Sequence, residues 1–161
     1  MIKSLRHLER ISRQTKKLQL PTLDESDSKS HPFDLRNIHP EISKISRKLF
    51  DDGHYSHAVL EAFKFLDKRV SKLSGIADTG FPLMMNALNE KNPKIQLTNL
   101  GSESEINEQL GYRHMFAGSM SGIRNPRAHE VGNIDDVDQC LDFLGFASTL
   151  IRKIDQRISP I

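Results

Sequence analysis

The sequence predicts an all-α protein, an up-and-down bundle of four main helices with shorter ones between them. Three observations lead there. From His39 onward the apolar residues recur at three- and four-residue intervals, with no sustained two-residue alternation of the kind a half-buried strand requires. The periodic stretches are long enough for several turns each, and recognisable starts and stops bound them. A chain of 161 residues, 37% of them hydrophobic, can also bury one core of ordinary domain size.

Each element has its own signals. Pro40 suits the first position of a helix that carries Ile42, Ile45, Leu49 and Phe50 to a stop at Gly53. Between about Ser56 and Ser74, one face holds Val59, Ala62, Phe63, Leu66, Val70 and Leu73, and the opposite face Glu61, Lys64, Lys68 and Lys72. A turn with Gly75 and Gly80 leads to a short helix in "FPLMMNALN" and an irregular stretch, "EKNPKIQLTNLG". Ser102 and Glu105 have the spacing of a capping box, and Ile106, Leu110, Phe116, Ala117 and Met120 extend that third long helix to its expected end near Arg124, just before Pro126. The last helix starts around "NIDD", with Asn133 as the expected N-cap, and runs through Val137, Leu141, Leu144, Leu150, Ile151 and Ile154 to about Arg157.

Charge is distributed unevenly along the chain. Residues 1 to 20 hold six basic side chains against Glu9, a local charge of +5 in a chain whose net charge is +2. The following stretch, "PTLDESDSKSHPFD", is poor in large apolar residues and reads as a linker, which places residues 1 to 36 in a basic arm and linker and residues 37 to 161 in the helical domain. The arm fits three roles: docking on the domain or on a second copy, gripping RNA, or binding a regulatory partner. No apolar run approaches a membrane span, and the first twenty residues lack a secretory h-region, so a cytoplasmic location without membrane contact is expected. The single cysteine, Cys140, rules out an internal disulfide framework and reads as a small buried residue.

One break between helices carries more chemistry than a turn needs. The stretch "GIRNPRAHE", residues 122 to 130, gathers Arg124, Asn125, Arg127 and His129 around Pro126. Gly, Asn and Pro suffice to turn the chain. An arginine fork suits phosphate and a histidine can move protons near neutral pH, so the pair can act on a phosphodiester without a metal; a solvated turn with a capping His and a paired Arg is the alternative.

The order Arg124, four residues, His129, with Asn directly after the Arg, resembles the signature of the HEPN superfamily. The longer string "RNPRAH", with "HYSHAVLEAFKFLDKRV" in the earlier helix, is similar to the Ymh-type branch found in bacteria and phages. The resemblance covers roughly residues 38 to 158. It implies a metal-independent endoribonuclease, without cofactor, that works as a homodimer in a conflict system such as a toxin or an abortive-infection effector, with RNA as substrate and an antitoxin or regulatory protein as a further partner. Arg124 would then stabilise charge on the phosphate, His129 would act as general acid or base, and Asn125 would position them. The competing expectation is a non-catalytic helical dimer that binds RNA, a nucleotide or a protein.

Other residues are more open. Arg127 can hold a neighbouring phosphate or pair with Glu130. Glu61 can support the site or simply pair with Lys64. Lys64, Lys68 and Lys72 can track RNA phosphates or form a solvated face. His54, His57 and Glu61 have a metal-like spacing, although no metal site is expected, and His114 reads as a hydrogen-bonded packing residue.

Overall fold

The computed structural model describes residues 30–129 and 135–158. The chain divides into Met1–His31 and Pro32–Ile161. The expectations for the basic arm fall on residues 1–29, outside the described part. Within the second unit the helices are α1 (Pro32–Leu35), α2 (Pro40–Asp51), α3 (Tyr55–Ser74), α4 (Gly80–Ala87), α5 (Glu103–Ser119), a π turn (Met120–Arg124), α6 (Asn125–His129) and α7 (Val137–Asp155). The described residues are thus all-α, with a single β-bridge between Gln96 and Ile158.

Local signals set the helix limits. His39 precedes Pro40 and its Nδ1 accepts the Glu41 amide at 3.2 Å, which starts α2. Gly53 and Gly75 take φ values of +78° and +69° after α2 and α3, a region where a Cβ is strained. The capping box of α5 is present in both directions: the Ser102 hydroxyl receives the Glu105 amide while the Glu105 carboxylate receives the Ser102 amide. The start of α7 is capped by Asp136, whose carboxylate accepts the Gln139 amide at 2.8 Å. Asn133, the expected cap, lies outside the described residues.

Helix α3 is the centre of the domain and touches α2, α4, α7, α6 and the π turn. Its stripe is buried as the spacing predicts: Val59, Ala62, Phe63, Leu66 and Val70 are fully covered, and Leu73 packs at the edge. Side chains such as Phe63 and Leu66 contribute about 1.5–3 kcal/mol each by leaving water. From α7, Leu144, Leu150, Ile151 and Ile154 meet the same core. The domain begins slightly before the expected boundary at residue 36, because Phe33 in α1 is buried and its ring lies 5.0 Å from that of Phe50.

Helix α5 buries Phe116, Ala117 and, just past its end, Met120 as their spacing predicts, but its first half turns Gln109 inward in place of Ile106. Gln109 is fully buried; its Oε1 accepts the Leu97 amide at 2.8 Å, and its Nε2 donates to the carbonyls of Leu88 and Ile95 at 3.0 and 3.1 Å. Three backbone groups of the irregular 88–97 segment are satisfied by this one side chain. With Gln109 facing in, Ile106 and His114 face out, so His114 is exposed and is not a packing residue.

Candidate functional site

The helical path does not stop before Pro126. Instead α5 widens into the π turn, where the Asn125 amide reaches back five residues to the Met120 carbonyl, and the chain continues as α6. A proline excludes tight α winding just before it through its ring and its missing N–H; a wider turn relieves both constraints. The motif therefore sits on a helix and not in a turn between helices. Met120 is fully buried, and in an unbroken α-helix the residue four places on would share its face. The inserted residue carries Arg124 off that face.

A buried clasp holds the five-residue α6, which is too short to be stable alone. Arg127 donates from Nε to Asp135 Oδ2 at 2.7 Å and from Nη2 to Oδ1 at 2.5 Å, and its Nη1 caps the Ile123 carbonyl at 2.8 Å. The guanidinium lies 4.4 Å from the centre of the Phe143 ring on α7. Asp135 is fixed in turn by its amide, which donates to the Ser56 hydroxyl at the start of α3 at 2.9 Å. Arg127 is thus committed to structure, with Asp135 as its partner; Glu130 lies outside the described residues.

Arg124 faces a cleft of about 450 Å³. One wall is α3, which presents Lys64, Asp67, Lys68, Ser71 and Lys72; the other is the loop of Ala77, Asp78 and Thr79. Arg124 Nη1 donates to its neighbour Asn125 Oδ1 at 3.0 Å, while its buried Nε has no hydrogen-bond partner among the described residues. Asp67 is occupied: its carboxylate accepts the Gly80 amide at 2.7 Å and ties the loop to α3. Gly80 has φ +65°, a conformation open to glycine at little cost. Four cationic side chains against two carboxylates leave the cleft positive.

The fold brings Arg124, Asn125, Lys64 and Lys68 to one place, together with Lys72. It does not bring His129 there. His129 is exposed at the end of α6 and does not line the cleft; five residues of α-helix turn it about 140° from Arg124 around the axis. Glu61 pairs with Lys64 at 2.7 Å, both partners about two-fifths exposed. The rings of His54 and His57 stand edge to face, 6.4 Å apart, and no group of three metal-binding side chains converges among the described residues. Cys140 is fully buried; burial pushes its thiol up to about 12, the Asp135 carboxylate adding to the shift and Arg127 opposing it.

Asp135 and Phe143 have no part in the sequence reading, and the turn before Gly80 is expected there only as a connection, not as a wall of the cleft. For the turn a signal is present, since Thr79 is a residue type suited to an N-cap. For Asp135 there was none beyond a run of acidic residues before a helix, which the dipole alone explains.

A helical domain with a cationic cleft beside a π turn is the class that this geometry defines. The chain belongs to the family described as "Protein of unknown function (Hypoth_ymh)", whose profile matches residues 36–154. No curated protein and no solved structure matches it. Among the described residues no helix is long and apolar enough to cross a membrane.

Proposed function

We propose that the protein is a metal-independent endoribonuclease of the HEPN type, built as an up-and-down helical bundle and acting in a bacterial or phage conflict system. The observation that carries this reading is Arg124: its guanidinium is oriented by Asn125 and it opens on a cleft lined with lysines. A permanently charged fork with spare donors fits the charge that builds on a phosphate in the transition state. In the reaction the ribose 2′-hydroxyl loses its proton to a base and bonds to the adjacent phosphorus. The bond from phosphorus to the 5′-oxygen breaks, and that oxygen takes up a proton. The products are a 2′,3′-cyclic phosphate and a 5′-hydroxyl.

His129 supplies the proton chemistry from a second copy. Its exposure, and its turn away from Arg124, agree with a site completed across a homodimer in which each copy contributes to both halves. An antitoxin or regulatory protein would restrain such an enzyme in the cell.

Purified protein incubated with structured and single-stranded RNA in EDTA tests the reading. Cyclic-phosphate ends from the wild type and none from His129→Ala, with both proteins dimeric on sizing, are the expected results. RNA left intact by folded, dimeric protein, even after its natural partner is removed, refutes it. That His129 does not line the cleft favours a second reading, a non-catalytic helical module that binds RNA, a nucleotide or a protein. Growth arrest on expression that survives both Arg124→Ala and His129→Ala would speak for that module.

A further inference from the structure

We infer that the cleft along α3 is a groove for the backbone of single-stranded nucleic acid, one that grips phosphates and reads no bases. The inference deepens the ribonuclease reading and rests on it for the identity of the strand that is cut.

Three features of the groove lead to this. The first is its cations. Lys64 is already paired with Glu61, whereas Lys68 and Lys72 are exposed and have no ion-pair partner among the described residues; they stand one turn apart on the same face, about 6 Å along the axis. An interval of that size is close to the spacing of neighbouring phosphates along a nucleic-acid strand. With Arg124 at the same cleft, the groove offers charge for a short run of phosphates.

The second is what the lining lacks. No aromatic side chain is among the residues that form it. Grooves that prefer certain bases stack them on aromatic rings or bond their edges with paired polar groups. Here Asp67 is consumed by the Gly80 amide and the Ser71 hydroxyl by the Ile76 carbonyl, at 2.7 Å each. Asp78 and Thr79 remain as single polar groups on the loop wall and form no paired donor–acceptor set, so recognition rests mainly on charge, and charge does not distinguish sequence.

The third is size. The cleft holds about 450 Å³ between a helix and a three-residue loop, too little to enclose a duplex, whose major groove alone is about 12 Å wide. A stretch of single strand fits it. Because the contacts are to phosphate, a DNA strand should occupy the groove as well as RNA does and block cleavage without being cut, since it lacks the attacking hydroxyl.

Fluorescence anisotropy with the full chain in EDTA, over a series of salt concentrations, tests the groove. The probes are dodecamers of 2′-O-methyl adenosine, 2′-O-methyl uridine and thymidine, none of which can be cleaved, and a DNA duplex of the same length. The three single strands should bind within about threefold of each other. In Lys68→Gln with Lys72→Gln, the slope of log affinity against log salt for those strands should fall by about 1.4, and affinity near 0.1 M salt by roughly tenfold or more. Duplex binding, which the basic arm can provide, should not change between the two proteins. An unchanged slope overturns the groove, as does an equal loss for duplex or a strong preference for one base. The outcomes separate from those of the cleavage assay: RNA cut by the wild type with an unchanged slope removes the groove alone, whereas the expected slope change without cutting removes the nuclease alone.

Discussion

Arg127 and Asp135 face each other through two parallel hydrogen bonds, with side chains only 5% and 2% exposed. This pair fixes the helical segment that carries Arg124 and His129 against α3 and α7. Removing one partner strands the other charge in the interior. Arg127→Ala or Asp135→Ala should therefore cost roughly 3–5 kcal/mol of stability in urea unfolding. Replacing both with apolar residues of similar size, Arg127→Met with Asp135→Leu, should restore most of that loss; a double variant as unstable as the single ones would disprove the assignment.

Arg124 makes the opposite prediction. Its one described side-chain hydrogen bond is to the adjacent residue, so Arg124→Lys should change stability by no more than about 0.5 kcal/mol. The ammonium keeps the charge and loses the fork, and RNA cleavage should fall by about 10²-fold or more. His129→Ala should behave alike, given its exposure. A variant of either residue that unfolds the protein would transfer that residue to the structural group.

Gln109 holds three backbone groups at once. Gln109→Leu keeps the volume and leaves the Leu97 amide and the carbonyls of Leu88 and Ile95 without partners, at about 1–3 kcal/mol for each group that water cannot reach. Thermal unfolding should report the loss. Hydrogen exchange at the Leu97 amide should accelerate by more than at amides within α3; equal acceleration everywhere would mean that Gln109 acts through general packing.

Cys140 should resist alkylation in the folded protein at pH 8 and react once urea unfolds it. The sign of the pH effect follows from its thiol, which is raised to about 12 in the fold against about 8.5 in an open chain. Above the lower value the unfolded state releases a proton that the folded state keeps, so stability declines as pH rises through the alkaline range. Cys140→Ala should flatten that decline; an identical slope in the variant would assign the effect to other groups.

Much of the fold was legible because its causes are local. Pro40 and Gly53, the capping box of Ser102 and Glu105, the α3 stripe and its C-terminal Gly75 are decided within a few residues of chain, and the described helices follow them. The lysine row beside Arg124 was readable on the same terms, as residues at four-residue spacing. What the sequence concealed depends on partners far along the chain. Nothing near Gln109 announces that residues 88–97 need its amide, so spacing alone places Ile106 in the core and makes His114 a packing residue. The role of Arg127 depends on Asp135, eight positions on, which only the fold brings to it. Pro126 signals a helix end because an ordinary α turn cannot absorb it, and a π turn can.

That proline has a further effect. A wide turn in a helix is in principle a travelling defect: it can move along by one residue whenever the next amide swaps its distant carbonyl for the nearer one. At Pro126 there is no amide to make the exchange. The wide turn at Met120–Arg124 therefore cannot migrate toward α6, and the direction in which Arg124 points is pinned by a bond that the chain is unable to form.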